Sequence, residues 1–172
     1  MTHRLSLLIA TAICILLAAC TQSRQPCLTP TIATLIVESI HLPTDTSTTA
    51  IDTGLPGAVF IPWVPGKTTL SGTIYPLQST FSLSLSPDST ICSWILTSDS
   101  LVHAYQYNYD TLTFFYQRNL KFLSNACGFT YFYTLDSVHT SHHIIDSVHL
   151  LNPSVTNDVN TKHLQIYIHP DY

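Results

Sequence analysis

The stretch TLTFFYQRNLKFL, residues 111–123, decides the fold class because apolar side chains recur in it at every second position. Leu112, Phe114 and Tyr116 fall on one face of an extended chain, and the same register continues to Phe122. A period of two residues is typical of a β-strand with one buried face, because successive side chains point to opposite sides. The stretch therefore predicts one long strand, or two strands separated by a bulge.

Shorter stretches on both sides repeat this period, and none shows the 3.6-residue period of a helix. Several short strands with turn residues between them are typical of a sandwich or barrel. We therefore predict an all-β chain that forms a single antiparallel β-sandwich. The further predicted strands include TIATLIVESIH (31–41), AVFIPWV (58–64), FSLSLS (81–86), TICSWILTS (90–98), GFTYFYTL (128–135), IIDSVHLL (144–151) and HLQIYIH (163–169).

An aspartate followed by Ser or Thr and an apolar residue occurs five times along the chain. Asp and Ser side chains bond the backbone just ahead of a strand, so we predict a turn at each place. The triplet also resembles the O-glycosylation sequon of Bacteroidota envelope proteins, which would place glycan on some of these hydroxyls. The five triplets are Asp88–Thr90, Asp99–Leu101, Asp110–Leu112, Asp136–Val138 and Asp146–Val148.

The first residues have the form of an export signal. A single early cation is followed by a mostly apolar run over 5–19, which is shorter than the roughly 20 residues of a spanning helix. The run ends in Leu17-Ala18-Ala19-Cys20, which resembles the lipobox of bacterial lipoproteins. This resemblance implies cleavage before Cys20 and acylation of that cysteine. We therefore predict a signal peptide (1–19), a lipidated cysteine with a tether (20–30) and a β-sandwich domain (31–172).

Several acyl chains hold a protein on a membrane stably, so the polypeptide after Cys20 needs no spanning segment. Thr21 follows the cysteine where an aspartate would have signalled retention at the inner membrane. We therefore expect an outer-membrane location, with the lipid anchor as the contact to the membrane.

Charge excludes one class of partner. Removal of residues 1–19 leaves five Lys and Arg residues against ten Asp and Glu residues. A chain so poor in cations has no electrostatic footprint for nucleic acid. The same balance predicts no attraction to anionic lipid. An envelope protein or a glycan is the expected kind of partner.

Three cysteines remain in the folded part, and an odd number leaves one thiol over. Disulfides persist in an oxidising envelope, and three pairings are open. We favour Cys27–Cys127, since Cys27 opens the domain and Cys127 lies in the irregular SNACGF between strands. Cys92 lies within a strand beside Trp94, where a buried, unreactive thiol is the ordinary expectation.

The histidine-rich stretch DSVHTSHHIIDSVH, residues 136–149, is the strongest candidate for chemistry. Imidazole binds zinc, copper and nickel, and a hairpin tip at Thr140 would let His139, His142 and His143 form a divalent-metal site. A solvated polar loop is the competing and favoured interpretation. No Gly-x-Ser-x-Gly, P-loop or HExxH pattern occurs, so we expect neither catalysis nor a cofactor.

Four segments of the chain carry a resemblance to a known family: CLTP (27–30), GTIYPLQSTFSLSL (72–85), DTLTFFYQRNLKFLSNACGF (110–129) and KHLQIYIH (162–169). Together they resemble an uncharacterised family of small Bacteroidota lipoproteins, classed as a domain of unknown function. The resemblance implies an all-β, immunoglobulin-like envelope domain and no reaction. We therefore predict a non-catalytic binding or scaffolding module, with divalent-metal binding as the alternative.

Overall fold

The computed structural model describes residues 26–41, 58–63, 73–75, 78–98 and 109–169. Every helix or strand assigned in these ranges is a β-strand, which confirms the prediction of an all-β chain. In the same ranges no helix is long and apolar enough to cross a membrane. The strands are β1 (Thr34–His41), β2 (Ala58–Trp63), β3 (Thr73–Tyr75), β4 (Thr80–Ser84), β5 (Ile91–Ser98), β6 (Tyr109–Ser124), β7 (Gly128–His139), β8 (Ile145–Leu150), β9 (Ser154–Val155) and β10 (Leu164–Ile168).

The strands form two sheets. One has the order β4-β1-β10-β8 and the other the order β3-β2-β5-β6-β7-β9. The prediction of antiparallel sheets is wrong for one pair, because β1 runs parallel to β10, with Val37 opposite Leu164. Side-chain alternation could not reveal this pairing, since it shows which face a strand buries and not which neighbour it has.

One hydrophobic core is built from the inward faces of both sheets. The rings of Phe60 on β2 and Phe81 on β4 meet with their centroids 4.8 Å apart, so the two sheets are in direct contact. Leu112 and Phe114 of β6 are fully buried here, as the alternation of residues 111–123 predicts. Burying a side chain of this size contributes about 2–3 kcal/mol to folding.

Tyr116 joins β6 to the turn after β4 through its hydroxyl group. That hydroxyl donates to the carbonyl oxygen of Ser86 and accepts from the amide of Ser86, both at 3.0 Å. Burial, together with the neighbouring Cys92, raises the pKa of Tyr116. Cys92 is a free, half-buried cysteine, and burial raises the pKa of its thiol as well. A thiol with a raised pKa is poorly nucleophilic, in keeping with an unreactive Cys92.

The prediction of five turns at the Asp-Ser/Thr triplets is wrong for three of them. Asp110, Asp136 and Asp146 lie inside β6, β7 and β8, because the alternation of apolar residues runs on through each triplet. Asp136 is an extra residue in β7, where the pairing with β6 shifts register. The triplet at Asp88 does lie in a turn, where Ser89 Oγ accepts from the amide of Ile91 at 3.0 Å. The remaining triplet, at 99–101, falls outside the described residues.

Candidate functional site

The predicted disulfide between Cys27 and Cys127 is confirmed. It joins the segment before β1 to the turn between β6 and β7, with the two Cα atoms 4.8 Å apart. Two hydrogen bonds continue the attachment: Thr130 Oγ1 donates to the carbonyl of Thr31, and Asn157 Nδ2 donates to the carbonyl of Pro30 at 3.0 Å. The start of the folded body is therefore fixed to one end of the β6–β7 ribbon. The lipidation site, Cys20, lies outside the described residues.

The β6–β7 ribbon changes character along its length. Up to Tyr116, every second residue of β6 is buried, whereas residues 117–122 are all exposed. Pairing with β7 nevertheless continues to the end, with Leu120 opposite Tyr131 and Phe122 opposite Phe129. These two pairs continue the core-facing register of the ribbon beyond the point where the second sheet covers it. The strands thus carry an apolar face that the described residues of the second sheet leave open.

We call the exposed apolar residues at this end of the ribbon, together with two from the adjoining segment, the tip surface. Ten large apolar side chains are exposed in the described part of the chain, and five of them belong to this surface. Such a concentration is informative, because exposed apolar residues on a monomeric protein are usually scattered singly. The members, with their exposed fractions, are Leu28 (89%), Ile32 (68%), Leu120 (58%), Phe122 (55%) and Phe129 (66%).

The rings of the tip surface are ordered against one another. The centroids of Phe122 and Phe129 lie 5.1 Å apart with tilted planes, a favourable geometry for an aromatic pair. The guanidinium of Arg118 lies 6.0 Å from the ring centroid of Tyr131 and also donates to the carbonyl of Pro87. A shallow cleft of about 290 Å³ separates the ribbon from the segment around Ile32. The tip surface is thus an ordered apolar surface with the cation of Arg118 beside it.

Two of the three histidines of the predicted metal site, His139 and His142, line one depression, but the three are not grouped as metal ligands. The ring of His139 packs 5.2 Å from that of Phe115, and His142 donates Nδ1–H toward the carbonyl of Asp146 at 3.0 Å. His143 Nδ1 instead lies 3.2 Å from Asp110 Oδ1. Residues 140–144 do not form a hairpin tip, because β7 and β8 belong to different sheets. Within the described ranges, no three His, Cys, Asp or Glu side chains are grouped so that they could hold a metal ion.

Asp110 binds the segment 141–145, where the chain passes from β7 in one sheet to β8 in the other. Its fully buried carboxylate accepts hydrogen bonds from Ser141 Oγ (2.7 Å) and from the amides of His143 (2.8 Å), Ile144 (2.7 Å) and Ile145 (2.6 Å). Burial alone would raise the pKa of Asp110, but these donors outweigh it and leave the pKa below the usual value. The carboxylate therefore clamps residues 141–145 to the start of β6.

Sequence reasoning assigned Asp110 to a turn and so missed this clamp. The signal was present, since Asp110 precedes Leu112 and Phe114 in the same core-facing register. A charged residue in a buried register requires several donors, because an unpaired buried charge is strongly unfavourable.

Ser141, Asp110 and His143 bring together the residue types of a hydrolase triad, but in a different order of contacts. Ser141 Oγ donates directly to Asp110 and accepts from the amide of Thr111 at 2.9 Å. In a nucleophilic triad the serine instead gives its proton to a histidine, which the aspartate orients. The contacts of Ser141 are thus those of a structural clamp.

His163 is a second buried titratable residue, located just before β10. Its Nδ1 accepts from the amide of Ile36 at 3.0 Å, which requires a neutral ring with the proton on Nε2. Burial lowers the pKa of His163. The ring therefore contributes to the joint between β1 and β10 only in its neutral form.

Comparison with known proteins places the chain in a family. The family model of DUF6452, a family of unknown function, matches residues 67–168. The chain belongs to this family. The DUF6452 match includes β3 to β10 and leaves β1, β2 and the segment around Cys27 outside. No curated protein and no solved structure matches the chain.

Proposed function

We propose that this member of DUF6452 is an outer-membrane lipoprotein that acts by binding or scaffolding, without catalysis. Cleavage after residue 19 and acylation of Cys20 would attach it to the bilayer through residues 21–30. The proposal extends the family resemblance to small Bacteroidota lipoproteins, which the lipobox-like Leu17–Cys20 supports.

The disulfide is the observation that carries this proposal. A bond between Cys27 and Cys127 forms and persists in an oxidising compartment, which supports export from the cytoplasm. It also joins the body to the tether only seven residues after Cys20. A domain attached in this way stays close to its anchor.

The finer description of the fold belongs to the same proposal. Two sheets with a shared core, and a parallel pairing of β1 with β10, support an immunoglobulin-like sandwich. The disulfide differs from that of antibody domains, which links the two sheets through the core. Here it ties the segment before β1 to the end of the ribbon.

A contact role is supported by the tip surface, and the opposite end of β7 offers a second place for a partner. There, a shallow depression of about 400 Å³ is lined by His139, His142 and Val148 among others. Polar and apolar groups side by side suit a protein or glycan partner better than a buried small molecule.

The acylation step is tested with the Cys20→Ala variant in the native host. The wild-type protein should lose residues 1–19, gain the mass of its acyl chains and fractionate with the outer membrane on a density gradient. The variant should be neither acylated nor membrane-bound. An intact, unacylated N-terminus in the wild-type protein would refute the lipoprotein proposal.

The contact role is tested by cross-linking intact envelopes and recovering the wild-type protein, with Cys20→Ala as the control for background. One protein or glycan should return in repeated experiments with the wild type alone. Recovery of nothing but abundant lipoproteins would count against a specific partner.

A further inference from the structure

The tip surface lies at the end of the molecule that the tether holds closest to the membrane. At no more than about 3.6 Å per residue, the seven residues from Cys20 to Cys27 span at most about 25 Å. The disulfide fixes Cys27 to the ribbon turn, so the tip surface stays within roughly that distance of the acyl chains. Tyr109, at the other end of β6, lies about 40 Å from Phe122 at 3.3 Å per residue.

Charge along the same part of the chain is one-sided. Residues 20–37 and 111–135 contain no Asp or Glu, although the chain as a whole carries a net charge of −4. The same two segments contain Arg24, Arg118 and Lys121, three of the five cations left after cleavage. These two segments therefore carry only positive charge, while Asp88, next to Pro87, and Asp158, next to Asn157, are the acids that lie close to them.

We infer that the tip surface seats in the headgroup and upper acyl region of the bilayer that holds the acyl chains of Cys20. This inference rests on the acylation proposed above. Phe122, Phe129 and Leu120 would enter the interface, where aromatic side chains are favoured, and Lys121 would meet the phosphates of anionic lipids. The lipid anchor and the tip surface then act as two membrane contacts of one protein.

The bilayer fits this surface better than a second copy of the chain. Two tip surfaces placed face to face would bring Arg118 of the two copies together, and like charges in contact repel. A bilayer supplies both an apolar layer for the rings and anionic groups for the cations. The anchor also keeps lipid near the tip surface at all times, which raises its effective concentration.

Seating of the tip surface sets the orientation of the whole protein. The ribbon axis would stand away from the membrane, and the depression beside His139, which pairs with Thr113, would face the solvent about 30 Å from the bilayer. A lipid anchor alone would leave the domain free to rotate about its tether.

The test uses the full-length, acylated protein reconstituted into vesicles that contain a brominated lipid, which quenches nearby tryptophan fluorescence. Phe122→Trp places a probe in the tip surface, and Tyr109→Trp places a matched probe at the far end of the same strand. Trp63 and Trp94 give the same background in both variants. We expect quenching of the tip probe to exceed that of the far probe by about twofold or more, since apolar side chains seated in the interface are buried about 5–10 Å into the boundary between headgroups and acyl chains.

Phe129→Trp repeats the measurement if Phe122→Trp does not fold. Equal quenching of tip and far probes in vesicle-bound protein would overturn the inference. So would a tip probe that is unquenched while cross-linking at that end yields dimers.

Flotation with the vesicles separates this outcome from failure of the proposed function. Protein that is unacylated and does not float refutes the lipoprotein proposal itself. Protein that floats with an unquenched tip probe refutes the seating alone.

Lys121→Gln tests the electrostatic part of the inference. Lys121 is exposed on the ribbon, so this substitution changes charge with little effect on packing. In the Phe122→Trp background, it should reduce the extra quenching that anionic vesicles give over neutral ones. An unchanged difference would remove Lys121 from the membrane contact.

Discussion

The two halves of β6 have similar alternation and different surroundings. In the first half, Leu112, Phe114 and Tyr116 are buried beneath the second sheet, whereas Leu120 and Phe122 in the second half are exposed on the same face. Hydrogen bonding to β7 continues through both halves. The comparison shows that alternation determines which side of a strand is apolar, while the presence of a covering sheet decides whether that side becomes core or surface.

The largest expected effect comes from truncating one ring in each half. Phe114→Ala should lower the free energy of unfolding by about 3–5 kcal/mol, because it removes a fully buried ring and leaves a cavity. Phe122→Ala should cost less than about 1 kcal/mol, chiefly from loss of the pair with Phe129. Urea titrations of both variants measure the difference. Similar losses would mean that the second half is covered in solution.

The disulfide should be the main stabiliser of the exposed half. The double variant Cys27→Ser/Cys127→Ser should lose about 2–4 kcal/mol, since the bridge closes a loop of 100 residues in the unfolded chain. Cys92→Ala, which breaks no bridge, is the control and should cost about 1 kcal/mol. Hydrogen exchange in the double variant should rise most near the ribbon turn. Uniform exchange along β6 would contradict this local role.

The hydrogen bonds of Asp110 should stabilise the buried half of β6 and not the exposed half. Asp110→Asn removes one acceptor oxygen from a site with four short hydrogen bonds, so we expect a loss of about 2 kcal/mol. Asp146→Asn, at an exposed position, is the matched control and should change stability by less than about 0.5 kcal/mol.

The pH dependence of the free energy of unfolding shows in which direction the Asp110 carboxylate changes stability. Its pKa is lower in the folded protein than the ordinary value of 3.8, so the unfolded chain takes up the proton first as the pH falls. The stabilisation is complete above that value and is lost progressively below it. Wild-type and Asp110→Asn proteins should therefore converge in stability below about pH 3.8. If the stability of the two proteins changed in parallel with pH, the Asp110 carboxylate would not be the source of the stabilisation.

The smallest effect concerns His163 in the other sheet. Burial holds its pKa below the ordinary 6.5, so the unfolded chain binds a proton first as the pH falls through 6.5. Stability should decrease by at most about 1.4 kcal/mol per pH unit below that point. His163→Asn keeps an acceptor for the amide of Ile36 and should flatten the decrease. An unchanged slope of stability against pH in this variant would assign the decrease to other titratable groups.

Hydrogen exchange over the same pH range sharpens the comparison between the halves. Loss of protection should appear in residues 109–116, which the four-stranded sheet covers, because they exchange through global opening. Residues 117–122 should exchange through local opening and respond little to His163.

The strands and the disulfide could be predicted because both depend on local sequence. Alternation within 111–123 predicted the buried face of β6, and the position of Cys127 in an irregular turn favoured its pairing with Cys27. What could not be predicted depends on distant neighbours. The parallel pairing of β1 with β10 and the clamp on Asp110 join residues far apart in the chain.

The histidine stretch illustrates the same limit. Its composition suits metal binding, but that chemistry required a hairpin at residues 139–143. The chain crosses from one sheet to the other there, which sends the three rings to different partners. The residue types therefore indicated candidate metal ligands, but the passage of the chain from one sheet to the other keeps the three histidines from forming one group.

The placement of β10 between β1 and β8 has a consequence for the order of folding. β10 is the last strand of the described chain, yet it is an interior strand of its sheet, with β1 on one side and β8 on the other. A product that stops before Leu164 would leave the β4–β1 pair with an open edge and β8 without a neighbour in this sheet. The four-stranded sheet can therefore close only after β10 has been synthesised, and shortened products would expose strand edges that proteases can attack.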